Sequence, residues 1–203
     1  KQYKYCINKR KSMKIGIVDC GGANLNSIYY SFQRLNIDSF ISNSIDKLSQ
    51  MDALILPGVG SAGKVMETLS KKNLVSFIKE TNKPVLGICI GMQILFDYSE
   101  EDNTECLGLI KGNITKFNKK DVNAVPQMGW NKVECKLDNT LDGYYYFANS
   151  YFNKDSDYTI GYASYGNQFS SIIKKDNLLG CQFHPEKSST AGEVFLKNFI
   201  NSL

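Results

Sequence analysis

Residues 87–93 constrain the fold of this chain more than any other segment. They read Gly-Ile-Cys-Ile-Gly-Met-Gln, they follow an apolar run at 84–86 typical of a buried strand, and residues 94–96 behind them have the spacing of a buried helix face. A strand, a tight turn and a helix would strain the residue at the apex, and the flanking glycines leave room for the chain to fold back. Gly-x-Cys-x-Gly is the thiol counterpart of the Gly-x-Ser-x-Gly nucleophile elbow. Cys89 is therefore predicted to be an activated nucleophile, because the amides and dipole at a helix start favour a thiolate.

Length and charge predict one globular domain of neutral character. The chain has 203 residues, of which 42% are hydrophobic and 22% charged, which is ordinary for a soluble domain. Five of the 24 basic residues and none of the 20 acidic ones lie within residues 1–12. We therefore predict a basic N-terminal extension over residues 1–12 and a single domain over residues 13–203. The near-neutral remainder has no electrostatic footprint for nucleic acid.

The sequence offers no signal for a membrane, a metal or a cofactor. No apolar stretch reaches the roughly 18 residues of a membrane span, and no secretory h-region opens the chain, so we expect a cytoplasmic protein. The six cysteines are even in number but widely spaced, and free thiols are favoured over disulfides in that compartment. With one histidine and no close ligand pair, a zinc site is not expected. The glycines at 21–22 do not form Gly-x-Gly-x-x-Gly, so a plain turn is favoured over a dinucleotide site.

The order of apolar segments predicts an α/β fold. Short buried strands at 14–19, 39–41 and 53–56 alternate with helices, which is typical of a parallel sheet covered on both faces. From residue 112 onward, short β-rich segments separated by turns predict antiparallel strands that continue the sheet or pack beside it. We expect a central, largely parallel mixed sheet flanked by helices, with additional antiparallel strands in the C-terminal half.

The glycine-rich loop 57–63 follows the third strand, where open α/β sheets bind ligands. A plain structural loop is the alternative. A cysteine acylation needs two amides aimed at the developing oxyanion. We predict one donor from this loop and the other from the amide of Ile90.

A nucleophilic cysteine needs a base, and the base needs a partner that orients it. His184 is the only histidine, it follows the apolar strand 178–183, and a carboxylate stands two residues later at Glu186. A lone histidine is often structural, but in an extended segment residues i and i+2 face the same way. We therefore predict a triad of Cys89, His184 and Glu186.

The segments 87–93 and 182–188 together resemble the class I (triad) glutamine amidotransferases. Residues 57–60, 126–131 and 146–151 narrow the resemblance to the glutaminase subunits of imidazole glycerol phosphate synthases, over residues 13–203. The resemblance implies a three-layer fold and a cytoplasmic enzyme of histidine biosynthesis without a cofactor. It implies that Cys89 attacks the carboxamide of glutamine, that His184 protonates the departing ammonia, and that water then hydrolyses the thioester.

The same resemblance implies roles for residues around the nucleophile. Val59 and Ile90 match the oxyanion-hole positions. Gly60, Gln93 and Glu101 match positions that hold glutamine, with Glu100 an adjoining alternative to Glu101.

The chain has no phosphate loop or spare domain for an ammonia acceptor, so a partner is expected. The resemblance implies a (βα)8-barrel cyclase subunit, forming a heterodimer that uses the ammonia to make imidazole glycerol phosphate and aminoimidazole carboxamide ribonucleotide. It places the partner interface at Asn24, Trp130, Tyr146 and Lys187. A core tryptophan is the alternative for Trp130.

Two departures keep other hypotheses open. Gln127 and Asn149 stand where the family pattern has histidine, so a glutaminase that serves another synthase, such as a surface-sugar amidination enzyme, is the second hypothesis. An autonomous cysteine peptidase or γ-glutamyl hydrolase is the third. A non-catalytic binding subunit is disfavoured by the presence of both Cys89 and His184.

Overall fold

The computed structural model describes residues 13–21, 25–58 and 60–203. The predicted extension 1–12, Asn24 and Val59 lie outside the described residues. The strands, in chain order, are β1 (Lys14–Val18), β2 (Asp38–Ser42), β3 (Ala53–Leu56), β4 (Val85–Ile88), β5 (Tyr98–Ser99), β6 (Thr104–Glu105), β7 (Asn113–Lys116), β8 (Gln127–Cys135), β9 (Gly143–Asn149), β10 (Tyr151–Phe152), β11 (Thr159–Tyr165), β12 (Asn167–Lys175) and β13 (Leu178–Cys181). The helices are α1 (Leu25–Arg34), α2 (Ile45–Leu48), α3 (Ala62–Lys71), α4 (Leu74–Glu80), α5 (Ile90–Gln93) and α6 (Ser189–Asn201).

Two sheets are formed within these described ranges. The large sheet has nine strands in the order β2-β1-β3-β4-β13-β12-β11-β8-β9, and the small one has four in the order β10-β7-β5-β6. In the large sheet, β2, β1, β3, β4 and β13 pair in parallel, and every pairing from β13 to β9 is antiparallel. The predicted α/β fold, with a mixed sheet flanked by helices and antiparallel strands in the C-terminal half, is confirmed.

Burial explains why these segments form these elements. All four residues of β3 and of β4 are buried, as expected of parallel strands covered on both faces. In α1 the side chains of Ile28 and Phe32, one turn apart, face the core. In α6, Phe195 and Phe199 repeat that spacing.

The predicted helix through residues 94–96 is wrong. α5 is a single turn that ends at Gln93. The carbonyls of Ile94 and Leu95 accept hydrogen bonds from the amides of Leu107 and Leu109, each at 2.9 Å. These bonds from a distant loop replace the bonds that would have continued the helix.

The order of the strands brings three loops to one edge. β4 lies between β3 and β13, and all three are parallel, so their carboxyl ends meet at the same edge of the sheet. Gly58, Cys89 and His184 follow these three strands. Within the described part of the chain, no helix combines the length and the apolarity needed to cross a bilayer.

Candidate active site

Cys89 occupies the turn between β4 and α5 in a strained conformation. Its φ of 52° and ψ of −109° are unusual for a residue with a side chain. The side chain is nearly buried, and the backbone amide donates to the Cys181 carbonyl at 2.7 Å. The predicted strain at the apex of the elbow is confirmed.

Glycines make this turn possible because three backbone segments touch there. A Cβ on Gly91 would lie 1.9 Å from the Leu56 carbonyl oxygen, and a Cβ on Gly87 would lie 2.5 Å from the Gly91 carbonyl oxygen. A Cβ on Gly58 would lie 2.2 Å from the carbonyl oxygen of Ile88. No side chain fits at these positions, so the thiol is held by close contact between main chains.

His184 and Glu186 form an internal pair beside the cysteine. Nδ1 of His184 lies 2.9 Å from Oε1 of Glu186, and both side chains are almost fully buried. The expected contact is present, but its geometric reason was wrong. Glu186 lies in a 3-10 turn, Pro185–Lys187, rather than in an extended segment.

The charge of the imidazole is set by its neighbours. Burial disfavours the charged form, but the Cys89 sulfur and then the Glu186 carboxylate outweigh it and raise the pKa of His184 to about 10. An imidazolium beside a thiolate is the ion pair that activates a cysteine nucleophile.

Ser188, which the sequence analysis did not single out, fixes the backbone of His184. Its hydroxyl donates to the His184 carbonyl at 2.7 Å and accepts the Tyr146 amide at 2.9 Å. The His184 amide in turn donates to the Tyr146 carbonyl at 2.9 Å. The histidine is thereby tied to β9 as well as to β13.

A cavity of about 230 Å³ opens in front of the cysteine. Its lining includes five of the eight residues predicted for catalysis, the oxyanion hole and substrate binding, but not His184 or Glu186. The lining, which also takes in the segment that ends β9, consists of Gly58, Gly60, Cys89, Ile90, Gln93, Glu101, Pro126, Ala148, Asn149, Ser150 and Tyr151. A larger cavity, of about 550 Å³, is lined by Pro84 and Leu178 at the starts of β4 and β13, away from the triad.

Glu101, rather than Glu100, faces the cavity. Its Oε2 accepts the Ala62 amide at 2.9 Å at the start of α3, and burial is the main reason that its pKa is raised. The Glu100 carboxylate instead accepts the Lys116 amide at 2.7 Å. The geometry therefore separates the two adjoining acids.

Gln93 and Gln182 connect the cavity to the nucleophile. Nε2 of Gln93 donates to the Tyr151 carbonyl at 2.8 Å and to Oε1 of Gln182 at 2.9 Å. Nε2 of Gln182 lies 3.6 Å from the Cys89 sulfur. The sequence analysis quoted Gln182 within a motif but gave it no role; its only signal was its place two residues before the histidine.

Ile90 is the first residue of α5, so its amide has no carbonyl one turn earlier to bond. It borders the cavity, as an oxyanion donor must. The second predicted donor, Val59, lies outside the described residues.

Three of the other described thiols are shifted by burial away from the thiolate form. Burial raises the pKa of Cys20 to about 12 and that of Cys106 to about 11, and it places the pKa of Cys181 well above the usual range. All five cysteines in the described ranges are free. Those ranges contain no cluster of three potential metal ligands.

The comparison with known families agrees with this geometry. Residues 16–203 match the model of the family described as glutamine amidotransferase class-I. The chain belongs to the class-I glutamine amidotransferases.

Relatives of this amidotransferase are named as synthase subunits. Imidazole glycerol phosphate synthase subunit HisH 2 of Campylobacter jejuni strain RM1221 is 45% identical over 194 residues, covering 94% of this chain and all of that protein. Subunit HisH of Pasteurella multocida strain Pm70 is 40% identical over 195 residues, covering 93% and 98%. Within its family, the amidotransferase thus belongs with the HisH subunits.

Solved structures of more distant proteins share the fold. A crystal structure of a glutamine amidotransferase has a TM-score of 0.73 at 16% identity, covering 92% of this chain and 97% of that one. The structure of PurLQS from Thermotoga maritima has a TM-score of 0.73 at 18% identity, covering 95% and 99%. The predicted fold of class I glutamine amidotransferases is confirmed.

In this amidotransferase, two of the residues predicted to meet a partner, Trp130 and Tyr146, lie side by side on β8 and β9, and Lys187 lies in the 3-10 turn that follows β13. Trp130 is 54% exposed, so the alternative of a core tryptophan is wrong. It pairs across the strands with Tyr146, and the two rings meet edge to face at 6.4 Å. Nζ of Lys187 lies 5.8 Å from the centroid of the Tyr146 ring.

Proposed function

We propose that this chain is the glutaminase subunit of an imidazole glycerol phosphate synthase. It hydrolyses glutamine to glutamate and ammonia, and it passes the ammonia to a (βα)8-barrel cyclase subunit. That partner makes imidazole glycerol phosphate and aminoimidazole carboxamide ribonucleotide in histidine biosynthesis. The observation that carries the hydrolytic step is the placement of His184 between the Cys89 sulfur and the Glu186 carboxylate.

In the first half of the reaction, the Cys89 thiolate attacks the carboxamide carbon of glutamine. The negative charge that develops on oxygen is stabilised by the amides of Ile90 and Val59. The imidazolium of His184 then gives its proton to the departing nitrogen, so ammonia leaves and a glutamyl thioester remains.

In the second half, His184 acts as a base and takes a proton from water, which attacks the thioester. Collapse of this second intermediate releases glutamate and restores the thiolate and the imidazolium. Glu186 holds the imidazole in the required orientation throughout. No cofactor is needed for either half.

The substrate is held by Gly60, Gln93 and Glu101, which line the cavity beside Cys89. The Glu101 carboxylate suits the α-ammonium group of glutamine because it is the acidic side chain among the residues that line this cavity. Gly60 has a φ of 96° and open space where a Cβ would stand, which keeps the cavity mouth clear.

The exposed face of β8 and β9 is the surface that we assign to the cyclase. Ala148 borders the cavity and pairs with the exposed Met128, and Trp130 and Tyr146 follow them along the strands. Aromatic residues and methionine are enriched in interface cores. Asn24 and Lys187 complete the assigned contacts.

We take residues 13–203 as one domain, and the heterodimer as cytoplasmic.

The decisive experiment measures glutamate formation by the purified chain alone, with the cyclase subunit, and with the cyclase and its nucleotide ligand. We expect feeble activity alone and a large rise in the full complex, because docking aligns the oxyanion amides. Cys89→Ala in the full complex serves as the blank. Equal rates in the three mixtures would refute control by the partner, and activity in the Cys89→Ala complex would refute the mechanism.

A second candidate is a glutaminase that feeds another synthase. Gln127 and Asn149 pair across β8 and β9, both are buried, and each has a side-chain oxygen without a hydrogen-bond partner among the described residues. The family pattern has histidine at both positions. The side chains between the glutamine pocket and the proposed partner face therefore differ here from that pattern. Transfer of ammonia with candidate barrel partners in parallel would separate the two candidates.

A further inference from the structure

A chain of hydrogen bonds runs from a backbone carbonyl to the nucleophilic sulfur. The Tyr151 carbonyl accepts from Gln93, Gln93 donates also to Gln182, and the side-chain nitrogen of Gln182 lies 3.6 Å from the Cys89 sulfur. Gln182 is fully buried and Gln93 is 1% exposed. Water therefore does not compete for these bonds.

The direction of this chain follows from its first member. A carbonyl can only accept, so the Gln93 amide must turn its NH₂ toward Tyr151. A reversed amide would set two oxygens against each other. The same NH₂ meets the Gln182 amide, which must therefore present its oxygen to Gln93. The remaining group of Gln182, its NH₂, faces the sulfur.

We propose that Gln182 positions the nucleophile by donating a side-chain N–H to the Cys89 thiolate, and that Gln93 keeps Gln182 in the donating orientation. The inference rests on the proposed function, because it takes Cys89 as the nucleophile. A donated hydrogen bond favours the thiolate over the thiol, since an ionised acceptor forms the stronger bond.

This arrangement also joins the substrate pocket to the thiolate. Both hydrogens of the Gln93 NH₂ are used, and its Oε1 is buried without a hydrogen-bond partner among the described residues. Gln93 therefore offers glutamine an acceptor, while its donor side holds Gln182. The Gln93 side chain thus both contacts the substrate and orients the residue that holds the nucleophile.

Other groups around the sulfur must be considered in any test by pH. His184 is the charged neighbour, with Glu186 behind it. The Cys181 thiol interacts with both Cys89 and Glu186, and Glu101 lines the same cavity. A test must change the donor alone and leave these four groups in place.

The experiment measures the rate at which iodoacetamide alkylates Cys89 in the full chain as a function of pH, by mass spectrometry of the Cys89 peptide. Gln182→Leu should move the midpoint of the profile upward by about 1, as expected for the loss of one hydrogen bond to an ionised group. Gln182→Glu keeps an oxygen for Gln93 but puts a carboxylate beside the sulfur, so it should move the midpoint further.

Ser171→Ala is the matched control. Ser171 is fully buried, and its backbone carbonyl accepts a hydrogen bond from the backbone N–H of Gln182 at 2.9 Å. Its hydroxyl has no hydrogen-bond partner among the described residues. This variant disturbs the same packing without touching the donor, so its profile should match the wild type. Wild-type profiles for folded Gln182→Leu and Gln182→Glu would overturn the proposal.

Gln93→Leu provides a test that leaves Gln182 itself intact. Loss of the orienting bond should move the midpoint upward by less than Gln182→Leu does, and an unchanged midpoint would overturn the proposed role of Gln93. Alkylation requires neither glutamine nor a partner. Failure of this inference is therefore distinct from failure of the proposed function, which would appear as glutaminase activity in Cys89→Ala.

Discussion

The edge where β3, β4 and β13 end differs from the face of β8 and β9 in how its residues are held. At the edge, the nucleophile is fixed by glycine contacts, the imidazole of His184 by Glu186, and the backbone of His184 by hydrogen bonds to Tyr146 and Ser188. On the face, Met128 and Trp130 are 67% and 54% exposed. The edge is completed by this chain, whereas the face presents apolar surface that a partner would cover.

The two regions meet in β9. The main chain of Tyr146 binds His184 and Ser188, while its ring lies beside Trp130. Substitutions at the edge should therefore change chemistry or folding in the isolated chain. Substitutions on the face should change association with the partner and should alter glutaminase activity only through that association.

The largest expected effect concerns the proton on His184, which is the only histidine and therefore gives a single imidazole signal by NMR. The wild type should titrate near its raised pKa of about 10, and Cys89→Ala should lower that pKa because the attraction of the Cys89 sulfur is lost while burial remains. An unchanged titration in Cys89→Ala would contradict the ion pair.

The same shift predicts how stability depends on pH. Because the folded pKa of His184 lies above the ordinary value of 6.5, protonation stabilises the fold fully below that value. The contribution is lost as pH rises from about 6.5 through about 10. Urea unfolding at several pH values should show this decline in the wild type and a weaker one in Cys89→Ala.

The next effect in size is on folding at the edge. Gly91→Ala should lower the free energy of unfolding by about 3 kcal/mol or more, because its Cβ would meet the Leu56 carbonyl oxygen. Gly143→Ala, in β9, is the control: its Cβ would make an ordinary contact at 3.6 Å with Ala191, and the change should stay within about 1 kcal/mol. Equal losses of the free energy of unfolding in the two variants would contradict the claim that close main-chain contacts hold the elbow.

The smallest effect is expected on the face. Trp130→Ala should weaken binding of the proposed cyclase partner by about 2 kcal/mol, as for an interface anchor, and change the free energy of unfolding by less than about 0.5 kcal/mol. Phe40→Ala is the matched control, because Phe40 is 47% exposed on β2 at the opposite edge of the sheet. Calorimetric titration with the partner distinguishes them. Similar affinities for both variants would argue against this face as the docking surface.

Much of the edge could be predicted from the sequence because its constraints are local. Gly87, Cys89 and Gly91 stand at fixed spacing in one turn, and the strand before them is a continuous apolar run. His184 was identified because the chain has one histidine. A few neighbouring residues thus predict the elbow, and the histidine count of the chain predicts the base.

Features that depend on distant contacts could not be predicted. α5 ends after one turn because the carbonyls behind it bind amides near residues 107–110. Ser188 matters because the Tyr146 amide of β9 donates to its hydroxyl, and Gln182 matters because Gln93, 89 residues earlier, donates to its side chain. The spacing of residues along the sequence does not predict such contacts.

The interlocked glycines of the elbow also limit how this enzyme can change under selection. Where main chains touch and no Cβ fits, no exchange of side chains can shift the thiol to suit a new acceptor. A lineage that acquires a different synthase must therefore vary its outer surface and inherit the elbow unchanged. Sequence differences among such subunits should therefore concentrate in β8 and β9 rather than around Cys89.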